Sequence, residues 1–289
     1  MPTRALLIGG SGRIGRMVLK VWRDGDGPSH YDPAQYRAAV PEMRDSDLIW
    51  DALNGSDPLS AWMQRHGLLS GLVVLAGVTP STGFDLDANV EIASAYLAAA
   101  RRLGIARVLL ASSSAVYGIG QGAPLNEDDP CHPNSFYGAY KLMMEDVASG
   151  YRKEGLEVCC LRIGNVVGAD ALPLGAHLDQ LGEPLEIDCF EDGHGPLRSY
   201  LGPVSLAGIL SQLAHHPARL PFLLNVAAPQ PVHMDALADA AGLPWSAVPA
   251  AGYTPQRIVL DCTRLARLVN LRADAGAAPR LISEWRAYG

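Results

Sequence analysis

Tyr137 and Lys141 lie four residues apart in Tyr137-Gly-Ala-Tyr-Lys141, downstream of an apolar run that ends in Ser112, Ser113 and Ser114. Four residues make about one helical turn, so the phenol and the ammonium share a helix face. A nearby ammonium stabilises the phenolate and draws a tyrosine pKa down from about 10 toward neutral pH. Such a side chain gives and takes a proton in a reaction. Solvated surface pairs have the same spacing, so the elements that position the pair must decide its role.

Residues 4–8 form a short β-rich run that enters Gly9-Gly-Ser-Gly12-Arg-Ile-Gly15, after which Met17, Val18, Val21 and Trp22 follow helical spacing. Strand, glycine turn and helix in that order let backbone N–H groups approach a pyrophosphate at a helix N-terminus. The stretch 23–44 is irregular, and a second strand fits best at 34–38. An acid closing that strand would bond the ribose hydroxyls of a dinucleotide, whereas an arginine suits the 2′-phosphate of NADP. Arg37, with Arg13 in the glycine loop and no acid at the expected place, leans the reading from NAD toward NADP; a solvated loop arginine fits as well.

Residues 47–53 read as a third strand with an acid at its end, and 56–66 as a capped helix. Residues 72–78 are a continuous apolar run, as in central parallel strands. Leu86, Val90, Ala93, Leu97 and Ala100 mark one helix face, and 107–111 the next strand. The helix carrying Tyr137 continues to 151, and a sixth strand follows at 156–163. Residues 169–203 show no sustained period and read as loops and short elements over a site. A helix at 204–213, a strand at 222–227, a helix at 234–241, a proline-rich link to 257–260 and a last helix at 263–269 complete the chain. This alternation implies an α/β fold, a Rossmann-type doubly wound parallel sheet with ligands at the carboxyl ends of its strands, where the serines lie. We divide it into a dinucleotide-binding domain, 1–164, and a smaller C-terminal substrate-binding region, 165–289, interleaved with the sheet.

Of the 289 residues 48% are apolar and 18% charged, enough for a large core and unlike a disordered chain. A net charge of −7 argues against nucleic acid as a partner, since that affinity rests on clustered Lys and Arg. Cys131, Cys159, Cys160, Cys189 and Cys262 show no zinc-ligand spacing, so no metal site is expected, and Cys131-His132 in a turn is a poor nucleophile pair. No apolar run approaches the roughly 20 residues that span a bilayer. The first residues enter the glycine loop too soon for a signal peptide, which makes the cytoplasm the expected location.

In order and spacing, Gly9-x-x-Gly12-x-x-Gly15, Leu75-Ala76-Gly77, Asn89, Ser112-Ser-Ser-Ala-Val-Tyr-Gly118, Tyr137-x-x-x-Lys141 and Leu161-Arg-Ile-Gly-Asn165 resemble the extended short-chain dehydrogenase/reductase family, of the NAD-dependent epimerase/dehydratase type that includes UDP-galactose 4-epimerase. The resemblance implies a catalytic Ser113, Tyr137 and Lys141, with Ser114 the alternative to Ser113. It implies Gly9, Ser11, Gly12, Arg13, Ile14 and Gly15 at the pyrophosphate, Asp51, Ala52 and Leu53 near adenine, Ala76, Gly77 and Val78 along the ribose, and Ile163 at the nicotinamide. Asn89 would tie neighbouring backbone together, and Asn165 and Arg198 would face substrate.

Two departures narrow this. The family's dehydratases carry Thr-Asp-Glu where this chain has Ser113-Ser114-Ala115, which removes the acid and base of water elimination. The family's second phosphate-binding arginine is not evident among residues 249–255. What remains is an NAD(P)-dependent oxidoreductase or epimerase acting by hydride transfer at a secondary alcohol or ketone of a small polar, sugar-derived substrate. The resemblance also implies a homodimer formed through helices 86–103 and 137–151. The alternative function is a nucleotide-binding sensor or accessory protein that keeps the Rossmann site without turnover.

Overall fold

The computed structural model describes residues 4–24, 33–41, 43–80, 83, 85–120, 122–169, 184–252 and 254–289. In chain order the first half runs β1 (Ala5–Ile8), α1 (Arg13–Arg23), β2 (Ala34–Tyr36), β3 (Leu48–Ile49), α2 (Asp57–His66), β4 (Gly71–Val74), α3 (Ala88–Arg102), β5 (Arg107–Ser113), α4 (Phe136–Lys153) and β6 (Glu157–Ile163). There follow β7 (Asn165–Val166), β8 (Leu185–Cys189), β9 (Leu197–Arg198), β10 (Tyr200–Leu201), α5 (Pro203–Ala214), β11 (Leu223–Val226), β12 (Val232–His233), α6 (Met234–Ala241), β13 (Trp245–Pro249), β14 (Arg257–Ile258), α7 (Thr263–Ala266) and α8 (Ala278–Tyr288).

Seven parallel strands form one sheet in the order β11-β6-β5-β4-β1-β2-β3. Every residue of β1 and β4 is buried, as sheets covered on both faces require. One face packs Leu7, Val73, Leu109 and Leu161 against Val18 and Val21 of α1 and Leu206, Ile209 and Leu210 of α5. The other packs Leu6, Ile8, Leu72 and Leu110 against α2, α3 and α4 through Leu59, Trp62, Leu97 and Met144. Each such fully buried aliphatic side chain stabilises the fold by about 1.5–3 kcal/mol.

α5 has no side-chain cap of its own, and both its ends are satisfied from a distance. Glu284 of α8 accepts hydrogen bonds from Ser205 N–H at 3.0 Å and Ser205 Oγ at 3.2 Å. Arg107, at the start of β5, donates to the carbonyls of Leu213 at 2.9 Å and His216 at 2.7 Å while pairing with Glu157 at 2.9 Å. Beyond the main sheet, β7 pairs with β10, β8 with β13, and β9 lies between β12 and β14. These small sheets enclose a separate core around Ile187, Tyr200, Leu237, Leu281 and Ile282.

Several elements differ from the sequence reading. The third strand stops at Ile49, and Asp51 instead caps a 3₁₀ turn, Ala52–Asn54, by accepting a hydrogen bond from Leu53 N–H at 3.1 Å. A short side-chain oxygen two residues back favours that turn over an extended chain. Residues 245–249, read as part of a proline-rich link, form β13, where pairing with β8 overrides local composition. The last helix is α8; the helix read at 263–269 shortens to α7. Of the stretch read as loops over a site, 170–183 lie outside the described residues. Among the described residues no helix is long and apolar enough to cross a membrane.

Candidate active site

β5 delivers Ser112 and Ser113 to the carboxyl edge of the sheet, and alternation along a strand sends them to opposite faces. Ser112 is buried, its hydroxyl 2.6 Å from Glu145 Oε1. Glu145 is also paired with Arg162 at 2.8 Å, both side chains 4% exposed, so Ser112 belongs to a core network. Ser113 is half-buried and its Oγ accepts a hydrogen bond from Ala115 N–H at 3.2 Å, opening a 3₁₀ turn, Ser114–Tyr117. Ser114, half-buried, is the first residue of that turn.

Ser135 caps α4 by accepting a hydrogen bond from Gly138 N–H at 3.1 Å. Any Cβ on Gly138 would run into the carbonyl of Ala115, so glycine here lets the first turn of α4, with Tyr137, close on the segment after Ser113. Tyr137 is half-buried; Lys141, one turn on, is buried, with Nζ 5.7 Å from the phenol ring centroid. The ammonium donates to the carbonyl of Ala111 at 2.9 Å. Burial pushes the Lys141 pKa down to about 8, against the opposing charge of Glu145. At neutral pH it therefore stays mostly protonated beside Tyr137.

A cleft of about 1100 Å³ runs along the carboxyl ends of β1, β2 and β4, and Gly9, Ser11, Gly12, Arg37, Ala52, Leu53, Ala76, Gly77 and Val78 line it. Lys141 borders the same wall, since its Nζ lies 3.4 Å from where a Cβ on Gly77 would stand. The turn that could cradle a pyrophosphate is tight. A Cβ on Gly15 would overlap the carbonyl oxygen of Gly9, so glycine is required for α1 to start directly beneath the loop. No acidic residue lies in the first turn of α1, which leaves its positive end open to an anion. Asn89 holds the opposite lip: its Oδ1 accepts from Val78 N–H at 3.2 Å and its Nδ2 donates to Val78 O at 3.0 Å.

Other expected positions stand apart from the cleft wall. Arg13 donates to the carbonyl of Ala169 at 2.7 Å, Ile14 packs against the core, and Gly15 is buried under the turn. Asp51 pairs with Arg37, its Oδ2 3.2 Å from Nε. Ile163 is buried and directly opposite Ser113 in the β5–β6 register. Asn165 begins β7, its N–H bonded to Ser199 O at 2.9 Å. Arg198 spends its Nη hydrogens on the carbonyls of Leu197, Gln256 and Pro255 at 2.9, 3.2 and 2.7 Å. Among the described residues it has no acidic partner, and burial lowers its pKa.

Sequence reasoning missed Gln35, which also lines the cleft. Its Oε1 accepts from Gly9 N–H at 3.0 Å and its Nε2 donates to Trp50 O, so the carboxamide holds the glycine loop in place. A polar residue inside a three-residue strand that is otherwise apolar was the available signal. Asp85, Asp87 and Glu91, at the start of α3, line the cleft too and had no motif to mark them.

The model of the NAD dependent epimerase/dehydratase family matches residues 5–178. The chain belongs to that family. Among curated relatives, a UDP-glucose 4-epimerase of Azospirillum brasilense is 33% identical over 192 residues, 61% of this chain and 54% of that protein. A uronate dehydrogenase of Pseudomonas syringae pv. tomato is 29% identical over 178 residues, 56% and 59% of the two. The chain thus spans little more than half the length of these relatives. Solved structures of the family's fold cover nearly the whole chain: a UDP-glucose-4-epimerase from Stenotrophomonas maltophila with bound NAD superposes with a TM-score of 0.76 at 20% identity, covering 99% of this chain and 98% of that one. MoeE5 in complex with UDP-glucuronic acid and NAD gives 0.74 at 24% identity, covering 98% and 99%.

Proposed function

We propose that this chain is an NAD(P)-dependent oxidoreductase or epimerase that acts at a secondary alcohol or ketone of a small polar, sugar-derived substrate. The observation that carries this reading is the buried Lys141, one turn from Tyr137 and bordering Gly77 on the wall of the cleft. Ser113 bonds the reacting oxygen, Tyr137 moves the proton on and off it, and Lys141 stabilises the phenolate that results. A nicotinamide held in the cleft supplies the hydride donor and acceptor. The glycine turn and the acid-free first turn of α1 fit its pyrophosphate.

Arg37 supports the NADP form: no acid stands at the end of β2, Gln35 is already committed to the loop, and Arg37, its Nε 3.2 Å from Asp51, lines the cleft with its side chain 56% exposed. Arg198 supports an anionic group on the substrate, because among the described residues its partly buried guanidinium is met by neutral carbonyls and no acid. In this reading residues 1–164 hold the dinucleotide and 165–289 the substrate. A homodimer through α3 and α4 agrees with the exposure of Phe136 and Met143 on α4, 81% and 51%.

The test is Tyr137→Phe assayed with NAD and NADP against sugar alcohols, free uronic acids and UDP-sugars. The expected outcome is a loss of about 100-fold or more in turnover with dinucleotide binding intact. Turnover equal to the parent would discard the assigned mechanism; dinucleotide binding with no turnover by the parent would favour the sensor reading.

A further inference from the structure

Away from the dinucleotide cleft, His194, His233 and Asp235 each bring a potential ligand atom within 4.8 Å of the other two. His194 lies in the connection from β8 to β9, His233 ends β12, and Asp235 sits in the first turn of α6. The two imidazole rings are 4.7 Å apart between centroids and tilted by 32°. What faces each Nδ1 decides which ring nitrogen can meet an ion. A carbonyl only accepts, and Gly195 O is 2.8 Å from His233 Nδ1, so that nitrogen carries the hydrogen and Nε2 the lone pair in the neutral ring. Asp235 Oδ2 stands 3.1 Å from His194 Nδ1, so on this ring Nδ1 is the nitrogen that can share an ion with the carboxylate, the ring hydrogen then residing on Nε2.

Asp235 Oδ1 accepts a hydrogen bond from Gly195 N–H at 2.8 Å, which fixes the carboxylate's orientation beside the two rings. An imidazole whose Nδ1–H is anchored on a carbonyl, leaving a bare Nε2, as in His233, is how proteins orient a histidine toward a metal ion. Gly195 therefore organises the cluster twice, through its carbonyl to His233 and through its N–H to Asp235.

We propose that His194, His233 and Asp235 form a binding site for a divalent transition-metal ion of the zinc type, with water completing the coordination. Two imidazoles and one carboxylate suit zinc, which accepts nitrogen and oxygen ligands and imposes little geometry of its own. Ligand atoms about 3.3 Å apart are needed around an ion with bonds of about 2.0–2.1 Å, so the cluster must contract. The His194 side chain, 55% exposed, has the freedom to do it. The N-terminus of α6 disfavours a cation, and the Asp235 charge in that same turn opposes the effect. His233 also lines an open cleft of about 500 Å³ with Leu197, Gln256 and Arg257, which gives an ion a route from solvent. An ion there ties the connection between β8 and β9 to the start of α6 and leaves the proposed catalytic residues untouched.

The full chain, free of any histidine tag, is stripped with a chelator, then titrated with Zn²⁺ by calorimetry and with Co²⁺ by visible absorption. The site predicts one saturable equivalent, cobalt d–d bands, and a rise in melting temperature with zinc. His194→Ala, His233→Ala and Asp235→Asn each remove a ligand and weaken binding by more than the roughly tenfold that losing a ligand's hydrogen-bond partner costs. Circular dichroism identifies any variant that fails to fold, and the exposed His194 then carries the comparison as His194→Gln. No saturable binding by the parent, or unchanged affinity when both histidines are replaced, overturns the site.

Discussion

At the scale of single residues, Lys141 is a cation held where cations are disfavoured. Its pKa of about 8 in the fold lies below the reference of about 10.4, so the unfolded chain binds more protons between those values. The contribution of Lys141 to stability then rises with pH across that window and is lowest beneath it. Lys141→Met removes the titration. Denaturation of the ligand-free protein at about pH 7 and about pH 10 is expected to show the parent gaining on the variant at the higher pH. A difference that does not move with pH would mean that the ammonium is solvated. Tyr137, Lys141 and the serine run were legible in the sequence because their relation is local, one turn of helix or the end of one strand. The burial of Lys141 was not, because it depends on Ala111 and Gly77 of two other strand ends. Gln35 was lost for the same reason: its partners are Gly9 and Trp50.

Between elements, the decisive contacts are close approaches and borrowed caps. Gly15→Ala puts a methyl group against the Gly9 carbonyl, and overpacking of this kind costs about 1–3 kcal/mol. Chemical denaturation together with dinucleotide titration is expected to show both stability and binding reduced; an unaffected variant would mean that the turn relaxes freely. Glu284→Ala takes away the acceptor for Ser205 N–H at the start of α5, for an expected loss of about 0.5–2 kcal/mol read by the same denaturation. The glycine loop and the alternating first-half elements could be read from periodicity and turn residues. β13 and α8 could not, since one exists through pairing with β8 and the other caps a helix 79 residues away in sequence.

For the whole molecule, α3 and α4 pack on each other and leave Phe136 and Met143 exposed, so a second copy is the expected cover for that face. Met143→Glu is expected to shift sedimentation from dimer to monomer while leaving the fold's circular dichroism unchanged; a monomeric parent would remove the proposed dimer. The position of β11 has a consequence for biosynthesis. β6 gains its outer neighbour only from residues 223–226, after the chain has left the sheet and returned. Until the ribosome has released that segment, β6 presents a bare, apolar edge, and α5 lacks the Glu284 cap until later still. Parallel pairing across long separations is slow and exposes such edges. The nascent chain therefore passes through an aggregation-sensitive interval, and chaperone dependence is expected to end when α8 emerges.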